Sequence, residues 1–123
     1  MRVFTFLITI LLTACANNVA FNTEQLTALY VADFNSDEIT RCTPSDVDLS
    51  NREALAFFKQ AKLIDSNTLH DYYDYAPCAI EGPVQYQQAN CNWQIRAGAT
   101  GHIQCAEQRW YFACDSQTCE ALF

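Results

Sequence analysis

The chain begins with a nearly continuous apolar run. Residues 3–12 are apolar except for Thr5 and Thr9, one basic residue (Arg2) precedes them, and small residues follow them. A basic start, an apolar segment of about 10 residues and a small-residue exit are typical of a secretory signal peptide. The run is shorter than the ~20 residues that a membrane-spanning helix needs. The pattern therefore predicts an exported protein with a signal peptide at residues 1–14.

A cysteine ends this apolar run. The residues Leu12-Thr13-Ala14-Cys15 resemble the lipobox of bacterial lipoproteins. The resemblance implies cleavage before Cys15, a lipid on the new N-terminus, and a lipidated tether over residues 15–22. Ala16, which is not an aspartate, implies an outer-membrane lipoprotein that faces the periplasm. As an alternative, Ala14 and Ala16 also fit ordinary cleavage after Ala16, which would release a soluble periplasmic or secreted protein.

A helical period of 3.6 residues follows the tether. Asn22 and Thr23 can cap a helix, and an apolar stripe follows them at Leu26, Leu29, Tyr30 and Phe34. Ser50 and Glu53 form a capping box, which predicts a second helix over about 51–64. The apolar face of this second helix consists of Ala54, Phe57, Phe58, Ala61 and either Leu63 or Ile64. Residues 23–75 are therefore the predicted helical part of the protein.

The period changes to two after Pro77. Apolar and polar residues alternate in four stretches separated by turns, which predicts a four-stranded antiparallel meander over about 76–123. Pro83 cannot donate a backbone hydrogen bond, so we expect the first strand at the sheet edge. The predicted fold class is α+β, with N-terminal helices packed on one face of the meander. Residues 23–123 would form a single small domain.

Matching apolar positions across the meander predicts its register. The expected core row consists of Val84, Trp93, Cys105 and Trp110. On the outer face, Glu81 would then lie opposite Arg96, and Arg96 opposite His102. Gln94, Gln104 and Tyr111 would share a parallel row. This outer face is either a solvated surface with a weak ion pair or a recognition surface.

Six cysteines follow Cys15, and an even number in a small exported chain indicates disulfide bonds. A zinc site would need closely spaced cysteine and histidine pairs, and the closest cysteines here have no histidine near them in sequence. Six cysteines allow 15 connectivities. The pairing that best fits the predicted sheet joins Cys91 to Cys105, Cys114 to Cys119, and Cys42 to Cys78.

Residues 72–123 also resemble short, cysteine-rich exported bacterial proteins. The shared pattern comprises Tyr73 to Cys78 (Y-x-Y-A-P-C), Cys91 to Ile103 (C-x-W-x-I-R-A-G-x-x-G-x-I), Tyr111 to Cys114, and Cys119 to Phe123. The resemblance implies export and a shared disulfide-bonded fold. Its common positions are mainly Cys, Gly, Trp and Pro, which the fold itself demands, so it assigns no active residue.

The charge of the chain favours a protein partner over nucleic acid. The chain has 7 Lys and Arg against 14 Asp and Glu, a net charge of −7, whereas nucleic acids and anionic lipids select basic surfaces. The acidic surplus is either a solvated surface or a docking surface for a basic partner. Tyrosine supplies the stiff contact area that is typical of interfaces. The predicted partner-binding residues are Asp71, Tyr72, Tyr73, Asp74 and Tyr75 with the outer-face residues Glu81, Gln94, Arg96, His102, Gln104 and Tyr111.

The sequence contains few groups that could perform catalysis. It has no phosphate-binding loop, serine-hydrolase motif or zinc-protease motif. His70 and His102 are the only histidines and lie in different halves of the chain. The predicted disulfides also leave no free thiol after Cys15. We therefore expect a non-enzymatic protein without cofactor or metal.

The predicted function is that of a periplasm-facing, lipid-anchored binding protein. A specific form is an immunity or inhibitor protein that neutralises an envelope-targeting toxin or hydrolase, since inhibition needs complementary surfaces and no chemistry. One alternative is an accessory or structural lipoprotein of the cell envelope or of a secretion machine. Another is a small-ligand binder or enzyme that uses His102, Arg96 and Glu81.

Overall fold

The computed structural model describes residues 21–115, 119 and 121–123. The predicted signal peptide, the lipobox and Cys15 lie outside the described residues. Within them, the chain forms two α-helices and a seven-stranded antiparallel sheet. The helices are α1 (Asn51–Gln60) and α2 (Ser66–Tyr72), and the strands are β1 (Leu26–Thr27), β2 (Asp33–Ser36), β3 (Lys62–Ile64), β4 (Cys78–Tyr86), β5 (Ala89–Arg96), β6 (Thr100–Cys105) and β7 (Gln108–Ala113).

The sheet is larger than the predicted meander because the N-terminal half also contributes strands. Its order is β1-β4-β5-β6-β7-β3. β2 pairs with the same edge of β4 as β1 does, but with the first half of β4. The four predicted strands form its centre, so their antiparallel pairing is confirmed, and the described residues are mostly β-structure with two α-helices. The prediction of a four-stranded meander with N-terminal helices on one face was wrong.

The first predicted helix does not form. Asn22 caps only a single 3-10 turn over Thr23–Gln25, and the chain then pairs with β4 as β1 and β2. Ala28, in the middle of the predicted helix, has a left-handed φ of 51°, which ends any helical run. The exposed edge of β4 offers backbone hydrogen bonds, and these override the weak helical pattern of this segment.

The second predicted helix forms as α1 but ends earlier than expected. Ser50 and Glu53 make the expected capping box, and the hydrogen bond from the Ser50 amide lowers the pKa of the Glu53 carboxyl. The helix ends at Gln60, whereas the prediction extended it to Ile64. Residues 62–64 instead pair with β7 as β3, because that strand also presents an unpaired edge.

Pro83 does not mark a sheet edge, so this prediction was wrong. β4 pairs with β5 on one side and with β1 and β2 on the other. Pro83 lies where the chain between β1 and β2 leaves the regular ladder. There the Tyr30 amide donates to the Pro83 carbonyl, and no amide is required from the proline.

The predicted register was wrong by two residues in each hairpin. Val84 lies opposite Cys91, and Trp93 lies between Gly82 and Ile103. The cause is the tightness of the turns: Gln87 and Gln88 close a two-residue turn with left-handed φ values of 50° and 66°. Such turns usually contain Asn or Gly. A shift of two keeps every side chain on its predicted face but changes its neighbours.

The hydrophobic core lies between α1 and one face of the sheet, here called the inner face. Phe57 and Phe58 of α1 are fully buried. The Phe58 ring packs edge-on against Phe112, at a centroid distance of 5.1 Å, and against Trp93, at 6.1 Å. The opposite, outer face of the sheet is not covered by α1.

Three disulfides staple this core, with the predicted pairing: Cys42–Cys78, Cys91–Cys105 and Cys114–Cys119. The predicted register made Cys91 and Cys105 diagonal neighbours, and this was wrong. They flank the Asn92–Gln104 pair, and their Cα atoms are 4.5 Å apart, a spacing typical of directly opposed residues. The disulfides indicate an oxidising location outside the cytoplasm.

A close crossing of backbones at Gly82 fixes how the N-terminal segment meets the sheet. A Cβ atom on Gly82 would lie 1.9 Å from the Tyr30 carbonyl oxygen. The same oxygen accepts a hydrogen bond of 3.2 Å from the Trp93 indole. Only glycine therefore allows the Tyr30 backbone to reach the indole across β4.

We predict that Gly82→Ala lowers the free energy of unfolding by about 1–3 kcal/mol, because the added methyl group collides with backbone. Gly98→Ala is the matched control, since its Cβ would lie 3.3 Å from the Asp74 carbonyl, a contact that a shift of a few tenths of an ångström relieves. Urea unfolding followed by tryptophan fluorescence measures both. Equal stability of the two variants would contradict the close crossing.

Candidate functional site

A polar row crosses the outer face of the sheet. Five successive strands contribute one residue each, in the spatial order Asp33, Glu81, Gln94, His102 and Tyr111. The Gln94 amide donates to Glu81 at 3.2 Å, and the His102 and Tyr111 rings meet edge-on. The outward-facing positions of the alternating pattern thus become one continuous polar strip.

The segment that precedes β4 lies against this face. The Arg96 guanidinium donates to the Ala76 carbonyl at 2.9 Å, and its central carbon is 4.4 Å from the centre of the Tyr75 ring. The Tyr75 hydroxyl donates to Asp37 at 2.8 Å. Because Arg96 projects from β5, these contacts fasten residues 73–77 to the sheet.

A second set of contacts fastens the same segment from the other side. The Tyr73 hydroxyl and the Lys62 ammonium both donate to the Asp115 carboxylate, each at 2.7 Å. The hydrogen bond from Lys62 lowers the pKa of Asp115, and the bond to Asp115 raises the pKa values of Lys62 and Tyr73. The three groups are exposed, so they position the segment more than they stabilise the fold.

A groove of about 530 Å³ lies between this segment, α2 and the outer face of the sheet. We call it the outer groove. A smaller hollow of about 330 Å³ adjoins it at Gln94 and His102, on the side of Asp33 and Glu81. The outer groove is lined by Ser66, Leu69, His70, Tyr73, Asp74, Tyr75, Gln94, Arg96, Thr100, His102, Arg109 and Tyr111.

His102 lies at the centre of the groove floor. Partial burial, and then the positive charges of Arg109 and Arg96, lower the pKa of its imidazole to about 4. His102 is therefore neutral at pH 7. Neither its ring nitrogens nor the Tyr111 hydroxyl makes a hydrogen bond to another residue in the described part of the chain.

The two arginines of the groove, Arg96 and Arg109, form no ion pair with a carboxylate of the described residues. The ion pairs among the described residues join Arg41 to Glu38, Lys62 to Asp115 and His70 to Asp71. Arg109 instead directs Nε and Nη2 at the neutral amide oxygen of Gln104, with an Nε distance of 2.9 Å. The groove floor therefore carries two guanidinium groups that no described carboxylate pairs with directly, in an acidic protein.

The structure brings most of the predicted partner-binding residues together. Those that line the outer groove are Tyr73, Asp74, Tyr75, Gln94, Arg96, His102 and Tyr111. Asp71 and Tyr72 are exposed on α2, Glu81 lies in the adjoining hollow, and Gln104 supports Arg109. The predicted pairs Glu81–Arg96 and Arg96–His102 do not form, because the register differs: Arg96 lies opposite Ala79 and Thr100.

Sequence reasoning missed Arg109, Leu69, Ser66 and Thr100. Arg109 could have been found, since it precedes Tyr111 by two residues and therefore shares its outward face. Ser66 and Leu69 carried no signal, because they lie on α2, a short helix that the hydrophobic pattern did not predict. Thr100 was placed in a turn by the predicted register.

Two other groups of reactive side chains among the described residues lack the geometry for catalysis or metal binding. His70 lies 3.2 Å from Asp71, but their side chains are 90% and 64% exposed, so water competes for both groups. Cys42, Asp46 and Cys78 are the one cluster within metal-binding distance in the described ranges. Its two sulfur atoms are joined in a disulfide and are not thiolate ligands.

In comparisons with known proteins, no family model, no curated protein and no solved structure matches the chain. Neither α1 nor α2 is long and apolar enough to cross a membrane.

We predict that the His102 imidazole stays neutral until the pH approaches about 4. NMR titration of the two histidine ring signals measures this, and His70→Gln assigns the remaining signal to His102. A midpoint near the ordinary value of 6.5 would contradict the burial of His102 between two guanidinium groups.

The same shift makes the stability depend on pH. The unfolded chain protonates His102 near pH 6.5, whereas the folded chain does so only near pH 4, so folding loses stability as the pH falls through this window. We expect His102→Gln to remove about 1–2 kcal/mol of this loss, with allowance for partial exposure. Denaturant unfolding at pH 7 and pH 4 measures it.

Proposed function

We propose that this chain is a lipid-anchored binding protein of the bacterial cell envelope that holds a protein partner in the outer groove. In its specific form it is an immunity or inhibitor protein that neutralises an envelope-targeting toxin or hydrolase. One observation carries the proposal. Two sets of residues far apart in sequence, the tyrosine segment and the outward-facing strand residues, converge on one groove.

The exposed aromatic residues support a protein as the partner. Tyr75, which lines the groove, is 66% exposed, and Tyr72, at the end of α2 next to groove-lining Tyr73, is 81% exposed. Exposed tyrosines present large, stiff contact areas that lose little entropy on binding and dominate many interfaces. Asp71 and Asp74 lie beside them, so a partner with basic groups around its contact site would find complementary charge at the rim.

The point where the described chain begins is compatible with an anchor at Cys15. Phe21 packs on the inner face, stacked on Tyr86 at 4.2 Å and edge-on to Phe112 at 5.3 Å. The outer groove opens on the other face of the sheet. A tether that enters beside Phe21 would leave the groove accessible from the periplasm.

The proposal is tested by photo-crosslinking in the native envelope. Benzoylphenylalanine at position 72 should form an adduct with one partner, because Tyr72 is 81% exposed and directly precedes Tyr73, which lines the groove. Position 30 is the matched control, since Tyr30 is also exposed, at 57%, but lies beside β4 away from the groove. Mass spectrometry identifies the partner and the mature N-terminus.

A toxin or hydrolase in the position-72 adduct supports the inhibitor role. A component of a membrane machine would instead support the alternative, an accessory or structural lipoprotein. Failure to form an adduct, or the same adduct from both positions, contradicts binding at the groove. An unmodified N-terminus at Asn17 contradicts the lipid anchor alone.

A further inference from the structure

We propose that the outer groove recognises a carboxylate-bearing side chain of its protein partner, received by Arg109 beside His102 and Tyr111. The inference rests on the proposed binding function and specifies the chemistry of the same groove. This recognition differs from a general attraction between an acidic protein and a basic one. Here the recognised group of the partner is negatively charged, like this chain as a whole.

The first argument is the geometry of Arg109. Its Nε and Nη2 atoms both point at one oxygen, Oε1 of Gln104. This edge of a guanidinium is the fork that pairs with a carboxylate. Here a neutral amide holds the fork in place without cancelling its charge. Gln104 occupies the Nε/Nη2 edge, so the hydrogens of Nη1 and the second hydrogen of Nη2 remain for a carboxylate that approaches this oriented cation.

The second argument is the distribution of positive charge. Residues 77–123 contain only two basic residues, Arg96 and Arg109, and both line the groove. Neither forms an ion pair with a described carboxylate, although acidic residues outnumber basic ones two to one in the chain. Asp74 lines the groove and Glu81 lies in the adjoining hollow, but neither forms an ion pair with Arg96 or Arg109. Glu81 is already bonded to Asn35 and Gln94.

The third argument is the hydrogen-bonding capacity around the fork. Tyr111 follows Arg109 by two residues on the same face of β7, and His102 lies directly opposite Tyr111 on β6. The Tyr111 hydroxyl and one ring nitrogen of a neutral histidine are donors that no described residue uses. A carboxylate has two oxygens and accepts several such bonds at once. The three side chains together therefore suit a carboxylate better than an amide or a hydroxyl.

A peptide titration followed by NMR tests the inference. The probe is acetyl-Ala-Glu-Ala-amide, and its control is acetyl-Ala-Gln-Ala-amide, which has the same shape without the charge. We expect saturable shifts of the His102 ring and Arg109 Nε signals with the glutamate peptide, and at least tenfold weaker binding of the glutamine peptide. Arg109→Gln should weaken glutamate-peptide binding at least tenfold. The matched variant Arg41→Gln should not, because Arg41 pairs with Glu38 outside the groove.

Equal binding of the two peptides, or an affinity unchanged by Arg109→Gln, would overturn the inference. Free acetate that binds as tightly as the peptide would overturn its assignment to a protein side chain. Photo-crosslinking of Arg109→Gln separates the two proposals. An undiminished adduct at position 72 rejects carboxylate recognition but leaves partner binding intact. Absence of the adduct in the otherwise unaltered protein rejects partner binding, and the titration still decides the carboxylate.

Discussion

The contact between Arg96 and the segment at residues 73–77 is the interaction on which the candidate site depends. An antiparallel sheet alone presents a nearly flat outer face. The Arg96 guanidinium changes this by bonding the Ala76 carbonyl and lying over the Tyr75 ring. A charge-assisted hydrogen bond contributes roughly 1.5–3 kcal/mol and an exposed cation–π contact about 0.5–1 kcal/mol. These contacts join the middle of the segment to the sheet, and the Tyr73–Asp115 and Tyr75–Asp37 hydrogen bonds hold it on either side.

Small residues make this contact geometrically feasible. Arg96 shares its cross-strand row with Ala79, Thr100 and Ala113, and all three of these neighbours are buried. Larger side chains there would lift the segment away from the sheet. The cross-strand pair Gln104–Arg109 lies on the other side of the His102–Tyr111 pair, and Arg109 is exposed there. The groove therefore has a closed end at the aromatic segment and an open, positively charged floor.

The parts of the fold that local chemistry specifies could be predicted from sequence. The capping box of Ser50 and Glu53 is complete within four residues, and strict alternation assigned each strand residue to a face. The predicted cysteine pairing was correct although the predicted register was wrong by two residues, because Cys91 and Cys105 lie on the inner face in both registers. The register could not be predicted, because Gln87 and Gln88 adopt left-handed backbone conformations that glutamine rarely adopts.

The N-terminal strands and Arg109 were missed for a different reason. β1, β2 and β3 are short segments whose own pattern is weak, and they become strands because β4 and β7 offer unpaired edges. Such a dependence on tertiary context is invisible locally. For the site, the sequence identified two separate groups of candidate residues, but only the fold shows that Arg96 joins them. The proposed function depends on surface shape and charge, and the three disulfides stabilise the fold that presents them.

The most direct test of this account is a nuclear Overhauser measurement on the folded protein in solution. We expect contacts between the Tyr75 ring and the Arg96 side chain, and between the Ala76 methyl group and the Gly98 α-hydrogens, since an added Cβ on Gly98 would lie 3.6 Å from that methyl. If both contacts are absent while the cross-strand contacts of β4–β7 are present, the segment does not lie on the sheet. The outer groove, and every role assigned to it, would then be contradicted.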